Sequence, residues 1–151
     1  MRKTTHVYLC IKPMNIGDTK SWTVYSTGTD ELEYFVEERD GLDQDFEQRL
    51  LEKYKSEVID FIKDRKTILR LEADIIEAKL LRMKQLDIPM MLDDAPLGYD
   101  GTSYELELGG HRAYVKLGWW ESGPTGWKPI IEWFNDMVEY LTNVVKTEKN
   151  N

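Results

Sequence analysis

The stretch Thr102-Ser103-Tyr104-Glu105-Leu106-Glu107-Leu108-Gly109-Gly110-His111-Arg112-Ala113-Tyr114-Val115-Lys116-Leu117-Gly118-Trp119 decides the fold class. In its first half, Tyr104, Leu106 and Leu108 alternate with Ser103, Glu105 and Glu107. Successive side chains of a strand point to opposite faces, so this pattern describes a half-buried strand. Gly109-Gly110 reads as a two-residue turn, and His111 to Trp119 as the returning strand. Folded on that turn, Leu108 faces His111, Leu106 faces Ala113, Tyr104 faces Val115 and Thr102 faces Leu117. On the other side Glu107 meets Arg112, Glu105 meets Tyr114 and Ser103 meets Lys116. One face is then mostly apolar and the other polar with complementary charge. A slip of one residue would destroy both patterns.

Upstream, Val7 to Lys12 and Trp22 to Ser26 read as strands, separated by Pro13 and the turn Asn15-Ile16-Gly17-Asp18. Leu32, Tyr34 and Val36 alternate with Glu33, Phe35 and Glu37, which fits a third strand or the start of a helix. Asp43 to Asp87 contains no Gly or Pro. Asp43 is a good N-cap, and Phe46, Leu50, Tyr54, Val58 and Phe61 or Ile62 form a helical stripe. A second stripe uses Leu71, Ile75, Ala78, Leu81 and Met83. Between them Lys63-Asp64-Arg65-Lys66-Thr67 is polar, so the segment reads as two helices or one bent helix ending before Pro89. After Gly123-Pro124-Thr125-Gly126, Pro129 sits in the first turn of a last helix. That helix buries Ile130, Trp133 or Phe134, Met137, Tyr140 or Leu141 and Val144, and a polar tail starts at about Lys146. The expected fold is α+β, a single domain over residues 1–151. It has an antiparallel sheet of about five strands, with three helices packed mainly on one face.

Asp and Glu number 28 against 20 Lys and Arg, a formal charge of -8. Such a surface repels phosphate backbones, so nucleic acid is not an expected partner. It favours approach by a basic protein or a cation, and it also keeps a protein soluble. Cys10 is the lone cysteine, which excludes an intrachain disulfide and fits a reducing, cytoplasmic setting. No long apolar run follows Arg2 and Lys3, so neither a leader peptide nor a membrane span is expected.

Catalytic and metal-binding patterns are missing. His6 and His111 lack a second ligand at metal spacing, and no metal or cofactor is expected. His6 and Cys10 on one strand would stand about 13 Å apart, too far to pair. Asp93, Asp94 and Asp100 match no calcium-loop spacing and are common turn residues. The chain has no phosphate loop, dinucleotide glycine fingerprint or nucleophile elbow. The expectation is a non-catalytic protein. Two alternatives stand: a small-ligand domain with an aromatic pocket near Trp120 and Trp127, or a hydrolase whose carboxylates converge only on folding. Trp119 shares the apolar hairpin face and reads as core; Trp120 points the other way and is the better candidate for exposure.

The run from Asp30 to Glu47 contains Asp30, Glu31, Glu33, Glu37, Glu38, Asp40, Asp43, Asp45 and Glu47 against Arg39 alone. Exposed as one face, it would steer a basic partner. Its bland counterpart is a charged edge strand followed by an acidic helix start. The segment Asp100 to Glu107, then Trp119-Trp120, then Pro124-Thr125-Gly126-Trp127-Lys128-Pro129 and an amphipathic helix, resembles small uncharacterised bacterial proteins, some of immunity-protein type. The resemblance implies an inhibitor that covers a toxin or effector; it carries over no functional residue. The combined expectation is an interaction module in which Asp30, Glu31, Glu33, Glu37, Glu38 and Asp40 steer a basic protein and Trp120 anchors it. On that expectation, reversing Glu33, Glu37 and Glu38 to Lys together slows association by at least about tenfold and leaves the fold intact.

Overall fold

The computed structural model describes residues 2–89, 101–109 and 114–151. The elements are β1 (Lys3–Lys12), β2 (Lys20–Thr27), β3 (Glu33–Asp40), α1 (Gln44–Tyr54), α2 (Ile59–Asp64), β4 (Lys66–Leu71), α3 (Ala73–Lys84), β5 (Ser103–Gly109), β6 (Tyr114–Trp120) and α4 (Lys128–Lys149). All six strands join one antiparallel sheet in the order β4-β3-β2-β1-β5-β6. The fold is α+β. Three helices have eleven residues or more, and α2 is a six-residue companion of α1.

Strand parity divides the sheet into an apolar and a polar face. Val7, Leu9, Trp22, Val24, Tyr34, Val36, Leu71, Leu106, Leu117 and Trp119 point to the apolar face. Over them lie Ile76 and Leu80 of α3 and Ile130, Trp133, Phe134, Met137, Leu141 and Val145 of α4. Trp119 stacks on Tyr104 at 5.6 Å between ring centres and takes the edge of Phe134 at 4.9 Å. The Trp133 indole donates to the carbonyl of Lys79 at 2.9 Å, which fixes α4 against α3. On the other face α1 and α2 sit over a smaller cluster of Leu42, Val58 and Ile62, with Phe46 and Leu50 beside it. Asp43 caps α1 as expected, accepting from the Phe46 N–H at 2.7 Å.

Three sequence expectations need correction. The polar break at Lys63 to Thr67 leads into a strand, β4, which is paired to β3 from Arg39↔Lys66 to Tyr34↔Leu71. Leu69 and Leu71 point inward there, an alternation too short to separate from a helical stripe by pattern alone. In α3 the buried residues are Ile76 and Leu80; Ile75 and Leu81, placed on the stripe, are exposed. The hairpin pairs Leu108↔Val115, Leu106↔Leu117, Tyr104↔Trp119, Glu107↔Lys116, Glu105↔Gly118 and Ser103↔Trp120. Every partner lies four residues later than the two-residue turn required. The shift is even, so both faces keep their character, and Glu107 exchanges Arg112 for Lys116 at 3.6 Å. Residues 110–113 of the expected turn lie outside the described residues.

The phase of α3 gives a simple check by urea unfolding. Ile76→Ala removes a fully buried side chain and should cost about 2–4 kcal/mol. Leu81→Ala, at 58% exposure, should change stability by less than about 0.5 kcal/mol.

Candidate functional site

The polar face of the sheet carries most of the buried charge. Glu37 and Arg39 alternate along β3 and point under α1. Arg39 pairs with both Glu37 and Glu47, and its Nη1 donates to Thr23 Oγ1 at 3.0 Å. Lys66 reaches Glu37 at 3.2 Å and Glu47 at 2.9 Å. Gln44, at the start of α1, donates its side-chain amide to Thr23 Oγ1 at 3.1 Å and its backbone N–H to the Tyr8 hydroxyl at 3.3 Å. The helix is therefore docked on the sheet by two cations held between two carboxylates. Burial alone would raise the Glu37 carboxyl, but Arg39 and Lys66 outweigh it and hold the group below its ordinary value of 4.5.

Neighbouring groups are equally committed. Lys12 bridges Glu105 at 3.0 Å and Asp43 at 3.6 Å. Cys10 is fully buried, and burial pushes its thiol up to about 12, so it is un-ionised at neutral pH and suits packing better than nucleophilic attack. Among the described residues no group of three His, Cys, Asp or Glu side chains is arranged to hold a metal ion.

The acidic run does not form one surface. Glu37 and Glu38 are 4% and 3% exposed and, being consecutive, point to opposite faces. Glu38 accepts from the Trp22 indole at 2.9 Å and faces Lys149 at 3.6 Å. Glu33 pairs with Arg70 at 3.0 Å. Asp30 and Glu31 are exposed in the β2–β3 turn, and Asp40 is exposed at the far end of β3. The triple reversal to Lys would bury two cations beside other cations, so it would unfold the protein instead of slowing its association. Trp120 is half-buried on the polar face of β6, whereas Trp127 packs on the apolar core and donates to the Pro89 carbonyl at 3.0 Å. The two rings serve different faces. His111, Asp93, Asp94 and Asp100 lie outside the described residues.

The fold also assembles a pair that the sequence did not reveal. His6 Nε2 lies 2.7 Å from Ser26 Oγ, a contact of the type used to activate a hydroxyl nucleophile. The pairing slips between Thr5↔Tyr25 and Val7↔Val24, so His6 is the extra residue of a bulge that aims it at Ser26. Ser26 is only 2% exposed, and the imidazole packs against Tyr34 at 5.5 Å. That burial fits a strand-pairing contact.

The β4 end of the sheet is an open edge: among the described residues no strand pairs with the outer side of β4. Asp40 N–H donates to the Arg65 carbonyl at 2.9 Å, which makes that pair the hydrogen-bonded kind. Alternation along the ladder then aims the backbone groups of Thr67, Leu69 and Leu71 at β3, and those of Lys66, Ile68 and Arg70 outward. Ile68 is 54% exposed and forms, with Leu51, Ile59, Ile62, Lys63 and Lys66, the wall of an open groove of about 470 Å³. No protein-family model, curated protein or solved structure matches the chain.

The charge cluster can be tested by pH. A carboxyl held below its unfolded value adds stability that is present above about pH 4.5 and is lost as pH falls through the folded value. Glu37→Gln should cost about 3 kcal/mol at pH 7, and its urea midpoint should fall less steeply than wild type below about pH 4.5. Parallel curves for the two proteins would show that Glu37 titrates alike folded and unfolded.

Proposed function

We propose that this chain works by binding another protein and performs no chemistry on it, with the β4 edge and the adjoining groove as the contact surface. The observation that carries this reading is the coincidence of outward backbone groups at Lys66, Ile68 and Arg70 with an exposed apolar groove beneath them. An open edge offers main-chain hydrogen bonds, and a pocket on the same side offers selectivity. The immunity-type role fits such a module, because an inhibitor needs only to occupy a surface of a toxin or effector. The net charge of -8, with Asp30, Glu31 and Asp40 exposed, would act on the long-range approach of a basic partner, and the edge would make the contact.

A photo-crosslinking amino acid at position 68, expressed in the native host, should join the chain to a specific second protein. The same group at position 132, on the outer side of α4, should give none. Adducts that are equal at both positions, or absent at position 68, would count against the edge as the contact surface.

A further inference from the structure

We infer that the turn between β1 and β2, together with the start of α1, forms a second docking point, which takes a protein segment carrying a carboxylate beside a large apolar side chain. The site shares no residue with the β4 groove, so its failure leaves the reading of that edge standing. Met14 and Ile16 in the turn are 72% and 70% exposed, the highest values for large aliphatic side chains among the described residues. Ile16 also lines a groove of about 230 Å³ between the turn and α1, whose walls include the apolar Pro13 and Phe46 and the charged Lys12, Asp43 and Arg49. That volume is below the roughly 300–1,000 Å³ of pockets that enclose small ligands, and it suits a single side chain of a larger partner. The exposed Met14 then gives the residues that flank that side chain an apolar surface to lie on.

The charges of the groove do not balance. Lys12 is taken by Glu105 at 3.0 Å and Asp43 at 3.6 Å, and Asp43 also caps α1. Arg49 is left over. Among the described residues it makes no ion pair, and its guanidinium lies over the Phe46 ring at 5.8 Å. Its own helix does not supply a partner: Glu47 is held by Arg39 and Lys66, and Glu52 accepts from Gln48. Asp18 and Asp45, the nearest remaining acids in the chain, make no ion pair with Arg49 and do not line the groove. A guanidinium is weakly hydrated and presents a planar fork that one carboxylate fills with two parallel hydrogen bonds. The complement of the groove is therefore one acid for Arg49 and one apolar side chain between Pro13, Ile16 and Phe46, close together on the same chain. The net charge of -8 does not decide against such a segment. It acts on distant approach, which salt screens beyond about 8 Å, whereas the pair with Arg49 forms in contact.

The test uses the full chain and two capped peptides, Ser-Glu-Leu-Glu-Ser and the same peptide with Gln for both Glu. Each is titrated to millimolar concentration while backbone amides are followed by NMR. The Glu peptide should shift the amides of Ile16, Gly41, Phe46 and Arg49 and bind at least about threefold tighter than the Gln peptide. In Arg49→Gln that preference should vanish, which completes a double-mutant cycle for the one ion pair. Ile16→Ser should weaken both peptides by a similar factor and keep their ratio. Both substitutions are at exposed positions and should leave the unfolding midpoint nearly unchanged. The comparison of the two peptides on the unaltered chain needs neither variant. Equal binding of the two peptides, a preference that survives in Arg49→Gln, or no shift around the groove with either peptide would overturn the inference. So would a concentration-dependent dimer that shifts the same amides and is lost in Ile16→Ser, since a second copy would then be the occupant.

Discussion

The carboxylate of Glu37, held between Arg39 and Lys66, is the contact on which the second layer of the molecule depends. An antiparallel sheet can leave one face to solvent, but here the α1–α2 segment covers the polar face, with only a small apolar cluster beneath it. The remaining attachment is ionic, through Glu47 on the helix side and Glu37 on the sheet side, with the two cations shared between them. Buried ion pairs repay their desolvation only when geometry is good and the leftover donors are satisfied. Here Thr23 receives donors from both Arg39 and Gln44, and among the described residues no buried side-chain polar atom lacks a partner. Such a layer is directional: it fixes where α1 sits more sharply than a greasy contact of equal area would.

The opposite layer works by area. Rows of Val, Leu and aromatic side chains meet the stripes of α3 and α4, and the buried acid Glu38 on that side is occupied by the Trp22 indole and Lys149. Lys149 ends α4, so its cation also complements the negative end of the helix dipole. Hydrophobic burial thus holds two helices on one side, and charge holds the smaller helical unit on the other.

Much of this was legible in the residues. Alternation at Tyr104 to Leu108 and at Trp22 to Ser26 gave strands with the right faces, and the spacing of Ile130, Phe134, Met137 and Leu141 gave α4. Register was legible only modulo two, because a slip of four residues leaves every side chain on its face; the position of the turn carries the missing information. β4 was hidden because Thr67 to Leu71 offers too few residues to show a period and lies between two real helices. The splitting of the acidic run was already implied by the strand reading, since adjacent Glu37 and Glu38 cannot share a face. The edge and its groove were not legible at all: Ile68 meets Leu51 and Ile59 only after the chain has folded back, and no local pattern records that meeting.

The strand order has a consequence for how the chain is made. β1, β2 and β3 pair with their sequence neighbours and can form as soon as they leave the ribosome. The other side of β1 waits for β5, and its Leu9 meets Leu106 across about a hundred intervening residues, a late and entropically costly closure. During synthesis β1 is therefore an unguarded edge carrying Val7, Leu9 and Ile11, able to pair with another nascent chain. The strand that ends up at the centre of the sheet is the one most exposed to misassembly while the chain is incomplete, and the last third of the sequence, bringing β5 and α4, removes that hazard.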